Sequence, residues 1–205
     1  MTSRPDVLFT PEQIARRIAE LGPEIGRAFE SREICVVGLM KSCLVFMADL
    51  IRAIPLDMSV HFLRVKSVRD GDKSSRTEIM YEASIPYEGR DILVLDDIID
   101  TGITLNFLLE HIREHKPRTL KVCALVDKPG ERKIDVHPDW SVFTLTDPPV
   151  DRFIVGYGLD YSESYRGLPY IGTIPRPALP VGARKINLSF EGQGGRPTDL
   201  EDLRS

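Results

Sequence analysis

Three short runs of mostly apolar, β-branched residues constrain the fold of this chain most strongly. They are ICVVGL at 34–39, DILVL at 91–95 and LKVCALV at 120–126. A strand without polar alternation must be covered on both faces, which is typical of strands inside a parallel sheet. The three runs therefore predict buried strands of an α/β protein.

Segments with helical spacing separate these runs. Residues 44–54 place Leu44, Met47, Ile51 and Ile54 three or four positions apart, and 103–115 has the same period. MSVHFLRV at 58–65 alternates like a strand. The succession predicts an α/β fold with a mostly parallel central sheet that is flanked by helices.

The N-terminal segment has the signals of a helix start. Thr10 and Gln13 have the spacing of a capping box, with Pro11 at the first helical position. Ile14, Ile18 and Leu21 then repeat at helical spacing. We expect an amphipathic helix that runs as far as Pro23.

Charge and composition exclude several functional classes. The formal net charge is -4 and the pI is about 5.6, without the basic stripe that nucleic-acid binding needs, so neither nucleic acid nor a membrane surface is an expected partner. Asp49 and Arg52 interrupt the most apolar stretch, and the N-terminus has no apolar leader, so the expected location is cytoplasmic. The three cysteines (Cys35, Cys43 and Cys123) have no metal spacing and predict buried, reduced thiols.

Two polar segments fall outside the predicted strands and helices. Lys66–Ile79 contains glycine, has no apolar period and is too long for a plain connection, so it is a candidate active-site lid. Residues 181–205 are rich in proline, glycine and charge, which is typical of a loosely held tail. The length of 205 residues leaves room for one domain, which we place at residues 1–180.

The stretch DDIIDTGIT at 96–104 carries the strongest functional signal. Asp96, Asp97 and Asp100 come directly after a predicted parallel strand, where the ligand crevice of an open sheet lies. Residues 101–104 then open a helix, whose free N–H groups and dipole attract an anion. Acids beside a bound anion need an intermediary, such as sugar hydroxyls or Mg²⁺. A phosphorylated sugar fits this pattern, whereas a simple helix cap explains only Asp100 or Thr101.

This stretch also carries a family resemblance. DDIIDTGITL resembles the phosphoribosyl pyrophosphate (PRPP) signature of type I purine phosphoribosyltransferases, in the form found in the hypoxanthine-guanine enzymes. The resemblance extends over residues 34–173: VVGLMKSCLVFMADLIRAI resembles the pyrophosphate loop, FLRVKS the strand leading to the lid, ALVDKP a purine-contacting segment, and FIVGYGLDYSESYRGLPYIG the purine-binding hood. It implies the type I phosphoribosyltransferase fold, with a core at about 30–150, a small hood subdomain from the N-terminal segment and about 151–176, and a mobile active-site loop.

The resemblance also implies roles for individual residues. Asp100 would be the general base or proton partner at purine N7. The residues expected to hold PRPP, by its phosphate, ribose or pyrophosphate, are Lys41, Ser42, Asp96, Asp97, Thr101, Gly102, Ile103, Thr104 and Arg166. Those expected at the purine are Lys128 on the 6-oxo group, Phe153 stacked on the base, Ile154 and Asp160. Those expected in the lid are Lys66, Ser67 and Val68, and the Mg²⁺ ligands would be Asp96, Asp97 and Asp160.

The implied reaction transfers the phosphoribosyl group from PRPP to hypoxanthine or guanine and gives a nucleoside monophosphate and pyrophosphate, as in purine salvage. Ser42 and Val68 depart from the family pattern, which has glycine and tyrosine there. An impaired relative that only binds nucleotide or PRPP as a regulator is therefore the alternative. The sequence leaves open the choice among hypoxanthine, guanine and xanthine, and the resemblance implies a homodimer or homotetramer.

Overall fold

The computed structural model describes residues 4–29, 33–70, 74–82, 85–147 and 152–175, and between 66 and 84 it describes the side chain of Ile79 alone. The helices are α1 (Pro11–Ala28), α2 (Leu44–Ala53) and α3 (Ile103–Glu114), with a 3₁₀ turn at Pro129–Glu131. The strands are β1 (Asp6–Phe9), β2 (Glu33–Leu39), β3 (Asp57–Asp70), β4 (Ser74–Glu82), β5 (Asp91–Ile99), β6 (Thr119–Asp127), β7 (Trp140–Thr144), β8 (Arg152–Val155) and β9 (Ile171–Pro175).

Six strands of the described part form the main sheet, in the order β4-β3-β2-β5-β6-β7. The strands β3, β2, β5, β6 and β7 each run parallel to their neighbours in this order. The edge strand β4 runs antiparallel to β3. Alternate residues of β2 face opposite sides: Ile34 and Val36 pack with α1 and α2, whereas Cys35 and Val37 pack with α3. The predicted α/β fold, with helices on both faces of a mostly parallel sheet, is confirmed.

The helix α1 begins as predicted and ends later. Thr10 and Gln13 form both hydrogen bonds of the capping box. The predicted end at Pro23 is wrong, because the helix continues to Ala28 with Pro23 inside it. Ile25 lies in the added turn and is fully buried, so its burial helps to offset the backbone hydrogen bond that a proline removes.

The buried side of α2 differs from the predicted apolar stripe. Leu44 is the first helical residue and its surface is 49% exposed, while Phe46, Met47 and Leu50 form the buried face. The apolar spacing of residues 44–54 therefore predicted the helix correctly, and Met47 and Ile54 of the stripe are buried, whereas Leu44 is exposed.

The polar segment expected to be an irregular loop is largely a hairpin. β3 continues to Asp70 and pairs with β4 from Leu63 opposite Glu82 to Asp70 opposite Ser74, so the prediction of a segment without secondary structure over Lys66–Ile79 was wrong. Antiparallel pairing satisfies backbone N–H and C=O groups without an apolar side-chain pattern. The side chains of the predicted lid residues (Lys66, Ser67 and Val68) lie outside the described residues.

A smaller antiparallel sheet has the order β1-β9-β8. It joins the N-terminal segment to residues 152–175, which are the two parts assigned to the hood by resemblance. The tail at 181–205 lies outside the described residues, and the domain limits stay predictions.

Cys35, Cys43 and Cys123 are buried and unpaired, as predicted. Among the described helices, none has the length and apolar character needed to cross a membrane.

Candidate active site

A cavity of about 200 Å³ lies at the carboxyl ends of β2 and β5. This is the edge of a parallel sheet where ligands of open α/β folds bind. The cavity brings together four residues expected at the PRPP site with four apolar ones, and its lining consists of Ser42, Asp96, Asp97, Thr104, Leu39, Met40, Val65 and Ile98.

Asp96 and Asp97 lie within strand β5, which extends to Ile99, and not just beyond its end as the sequence suggested. Asp96 is buried, and its Oδ1 accepts a hydrogen bond from the Asp97 N–H at 2.9 Å. Burial raises the pKa of Asp96 well above its usual range, and the charge of Asp97 raises it further. A cation or hydroxyl donors at this pair would favour the ionised form.

The turn from β5 into α3 carries the residues that are expected to bind an anion. Gly102 has φ of 82°, and a Cβ there would meet Val136 Cγ1 at 2.6 Å, so the position requires glycine. The N–H groups of Ile103 and Thr104 belong to the first helical turn, where no intrahelical acceptor exists, and the Ile103 N–H makes a long contact of 3.5 Å with Thr101 Oγ1. From the loop after β6, the N–H groups of Lys133 and Ile134 donate to the Thr101 carbonyl at 2.9 and 3.3 Å and support the turn.

Lys128 and Asp100 form an ion pair. The Lys128 Nζ lies 3.3 Å from Asp100 Oδ1, with 11% of the lysine side chain and 50% of the aspartate side chain exposed. The Lys128 N–H also donates to the Ile99 carbonyl at 3.0 Å. The structure thus brings together the two polar groups that the resemblance assigned to N7 and to the 6-oxo group, which are adjacent on one edge of a purine.

A buried ion pair beneath this site was missed from the sequence. Arg132 pairs with Asp127, and both side chains are about one-tenth exposed. Arg132 also donates to the carbonyls of Ile99, Asp100 and Val136, so it fixes the backbone that carries Asp100. Asp127 could have been found, because it follows a buried apolar run of the sequence, as Asp96 and Asp97 do. Arg132 gave no comparable signal, since an arginine in a polar loop is usually solvated.

Lys41 and Ser42 of the predicted pyrophosphate loop contact the hood segment. Arg166 Nη1 donates to Ser42 Oγ at 3.1 Å and to the Gly158 carbonyl at 2.9 Å. Lys41 Nζ lies 3.0 Å from Glu163 Oε1. The hydroxyl of Ser42, where the family pattern has glycine, therefore contributes a contact of its own to Arg166. The peptide bond between Met40 and Lys41 is cis.

Asp160 is already engaged by protein groups. Its Oδ1 lies 2.8 Å from Arg166 Nη2, and its Oδ2 accepts from the Glu163 N–H at 2.7 Å. No three histidine, cysteine or acidic side chains of the described part converge on a common metal position. The three predicted Mg²⁺ ligands are therefore not assembled as a cluster.

The two apolar residues expected at the purine lie on β8 and are partly exposed. The ring of Phe153 packs against Tyr161, with ring centres 4.9 Å apart and an angle of 37° between planes. Ile154 is opposite Thr173 in the hood sheet. Both positions are compatible with a base-binding surface, and their contacts with a base stay predictions.

We expect Gly158→Ala to destabilise the fold more than Gly89→Ala. Both glycines have positive φ, 98° and 66°, so alanine at either is strained by about 1–2 kcal/mol. A Cβ at Gly158 would also lie 2.3 Å from the Ser42 carbonyl oxygen, whereas nothing lies within 4 Å at Gly89. The free energy of unfolding, measured with urea, should fall by about 3 kcal/mol or more for Gly158→Ala. Equal losses in the two variants would contradict the close approach of the hood to Ser42.

Comparison with known proteins identifies the class of protein. The Phosphoribosyl transferase domain family matches residues 7–162. The chain belongs to this family. Its similarity is high to hypoxanthine-guanine phosphoribosyltransferases: that of Bacillus subtilis (strain 168) is 40% identical over 174 residues, 84% of this chain and 94% of the relative. That of Mycobacterium avium is 41% identical over 175 residues, 82% of this chain and 84% of the relative.

Solved structures give the same result. A crystal structure of a hypoxanthine-guanine phosphoribosyltransferase from Bacillus anthracis, with a HEPES molecule in its active site, superposes with a TM-score of 0.77 at 38% identity. The match covers 84% of this chain and 99% of that one. A hypoxanthine phosphoribosyltransferase of Staphylococcus aureus gives a TM-score of 0.76 at 36% identity, over 82% and 90% of the two chains. The type I phosphoribosyltransferase fold expected from the sequence is confirmed.

Proposed function

We propose that this protein transfers the 5-phosphoribosyl group of PRPP to N9 of hypoxanthine or guanine and releases pyrophosphate, as a purine-salvage pentosyltransferase. One observation carries the proposal: a single cavity is lined both by the Asp96–Asp97 pair and by Thr104 at the start of α3. The two carboxylates can accept hydrogen bonds from ribose hydroxyls, and the N–H groups at the helix N-terminus can bind a 5-phosphate. The names of the similar proteins support the same activity.

The transfer breaks the bond from C1 of the ribose to the pyrophosphate oxygen and forms a bond from C1 to purine N9. The ribosyl group passes through an oxocarbenium-like state, so the site must position both reactants and stabilise the leaving anion. Residues 101–104 hold the 5-phosphate, and Lys41, Ser42 and Arg166 contact the pyrophosphate. The lid hairpin with Lys66, Ser67 and Val68 closes over the site and excludes water, which would otherwise capture the ribosyl group.

Asp100 and Lys128 act on the purine in this scheme. Asp100 accepts the proton that the base loses from N7, and Lys128 donates a hydrogen bond to the 6-oxo oxygen. Their 3.3 Å ion pair supports the assignment, because it places the carboxylate and the ammonium group close enough to contact adjacent atoms of one purine. Phe153 stacks on the base and Ile154 lines the pocket.

The residues present fit a Mg²⁺ ion. Asp96 and Asp97 offer carboxylate oxygens, and their mutual repulsion is a reason for a cation to bind there. Mg²⁺ is usually held by one or two carboxylates with substrate oxygens and waters, so a preassembled third ligand is not needed. When bound, the ion would neutralise charge on the pyrophosphate. We propose Asp96 and Asp97 as ligands; Asp160 would first have to leave its contact with Arg166.

The regulator alternative is not favoured. It rested on Ser42 and Val68, and Ser42 makes a contact with Arg166 that suits an anion site. A protein that only senses a nucleotide also has little use for an acid at N7.

We further propose a cytoplasmic location, which the buried free thiols support. We also propose a homodimer or homotetramer, which light scattering would test.

The test is product formation from four bases. The protein is incubated with PRPP, Mg²⁺ and hypoxanthine, guanine, xanthine or adenine, and nucleoside monophosphates are separated by chromatography. We expect IMP or GMP to form, and no product once EDTA has removed the metal. Binding of IMP without product from any base would contradict the proposal and favour the regulator.

A further inference from the structure

The turn that carries Glu163 adopts a conformation that its residues disfavour. Tyr161 and Ser164 exchange both backbone hydrogen bonds, at 3.2 and 3.0 Å. Between them Ser162 and Glu163 have φ of 51° and 62°. Two consecutive positive φ angles are typical of a type I′ turn, for which Asn-Gly is the preferred pair. A Ser-Glu pair keeps this geometry at a conformational cost, so the placement of the glutamate side chain calls for a reason.

Glu163 bridges two cations from separate segments. Its Oε1 lies 3.0 Å from Lys41 Nζ, and its Oε2 lies 3.2 Å from Arg166 Nη2. Hydrogen bonds from Lys41 and then Arg166 lower the pKa of Glu163, so it is anionic at neutral pH. About 65% of its side chain is exposed, and exposed ion pairs are weak, so another anion can replace the carboxylate.

We propose that Glu163 is an internal counter-ion of the pyrophosphate site, which pairs with Lys41 and Arg166 until a pyrophosphate group displaces it. The inference rests on the proposed function, which assigns those two cations to pyrophosphate. Displacement breaks both ion pairs, and the glutamate then lies beside an anion of its own sign. Glu163 therefore weakens the binding of pyrophosphate and speeds its release.

Asp160 also pairs with Arg166, but pyrophosphate does not displace it in the same way. Its side chain is 22% exposed, and its second oxygen is held by the Glu163 N–H at 2.7 Å. Asp160 thus fixes the turn and one side of Arg166. Glu163 is the acid that also reaches Lys41.

Calorimetric titration with inorganic pyrophosphate at fixed Mg²⁺ tests the inference. Glu163→Gln removes the charge, and Glu163→Asn also removes it with a residue that tolerates positive φ. We expect the Kd for pyrophosphate to fall roughly three- to tenfold in both variants. The matched control is Glu20→Gln, which makes the same change in net charge and breaks the exposed pair with Arg17 on α1. The control should leave the Kd unchanged.

The same Glu163 substitution, made in a Lys41→Ala variant, distinguishes a counter-ion role of Glu163 from a structural one. In Lys41→Ala, the Glu163→Gln change should tighten pyrophosphate binding less than in the unaltered protein, because one of the two ion pairs is already gone. Unchanged or weaker binding in both Glu163 variants, or equal tightening in the Glu20 control, would overturn the inference. Tighter binding without product from any base would leave it standing and reject the proposed function. Product formation with unaltered pyrophosphate affinity in the variants would reject the inference alone.

Discussion

Asp100→Asn should lower kcat with hypoxanthine by roughly two to four decades, the usual contribution of a positioned acid or base. Asparagine has nearly the same size but cannot accept the N7 proton. The backbone should stay in place, because Arg132 holds the carbonyl of residue 100 and not its side chain. Steady-state kinetics should show a much smaller change in the KM for PRPP than in kcat.

The contrast for this experiment is Thr104→Val, which keeps the shape of the side chain and removes its hydroxyl. Thr104 lines the cavity at the first turn of α3. This variant should mainly raise the KM for PRPP and the Kd for the nucleotide, and leave kcat within a few-fold. If Asp100→Asn behaves like Thr104→Val, or has no effect on an active enzyme, Asp100 does not have the proton-accepting role.

Lys128→Ala should reduce kcat/KM for hypoxanthine by about a hundredfold or more. The lysine is nearly buried and donates to the 6-oxo oxygen in our scheme, and a site built around one hydrogen bond rejects groups that cannot complete it. The unaltered protein should for the same reason reject adenine, which presents an amino donor at that position. Product from each base, measured at equal concentrations, gives the ratio.

Lys121→Ala is the matched control on β6, the strand that ends directly before Lys128. Lys121 also pairs with an acid, Asp139 at 2.7 Å, near the opposite end of β6. Its loss should leave base preference unchanged. Equal use of adenine and hypoxanthine by the unaltered protein, or equal losses in the two lysine variants, would contradict the assignment of Lys128.

The sequence predicted the main sheet well because its strands are buried on both faces. The run at 34–39 needs cover on both sides, and the structure supplies α1 and α2 on one and α3 on the other. The sequence predicted the first part of β3 at 58–65, but it did not predict that β3 continues to Asp70 and pairs with β4. Backbone pairing holds this part, and its polar sequence has no apolar period. Pro23 misled the prediction of α1, since the burial of Ile25 outweighs a local preference.

The candidate site was predictable where residues that act together are adjacent in the chain. Residues 96–104 pass from strand to helix in one turn, so the acids and the anion-binding amides had to be neighbours. Residue spacing could not predict the direct contacts between distant segments: Ser42 and Arg166 are 124 positions apart, and Lys41 and Glu163 are 122 apart. The resemblance assigned Ser42, Lys41 and Arg166 to the same ligand, but it gave no role to Glu163. Arg132 belongs to the same group, because its role depends on the burial that the surrounding loop creates.

The ratio of IMP to pyrophosphate formed shows directly whether this protein transfers the phosphoribosyl group to the purine. Hypoxanthine, PRPP and Mg²⁺ are incubated with the protein, and IMP and pyrophosphate are measured in the same samples over time, with the Asp100→Asn variant as the comparison. We expect the two products to appear at equal rates and both rates to fall together in the variant. Pyrophosphate release without IMP, which would mean that water and not the purine captures the ribosyl group, would contradict this expectation.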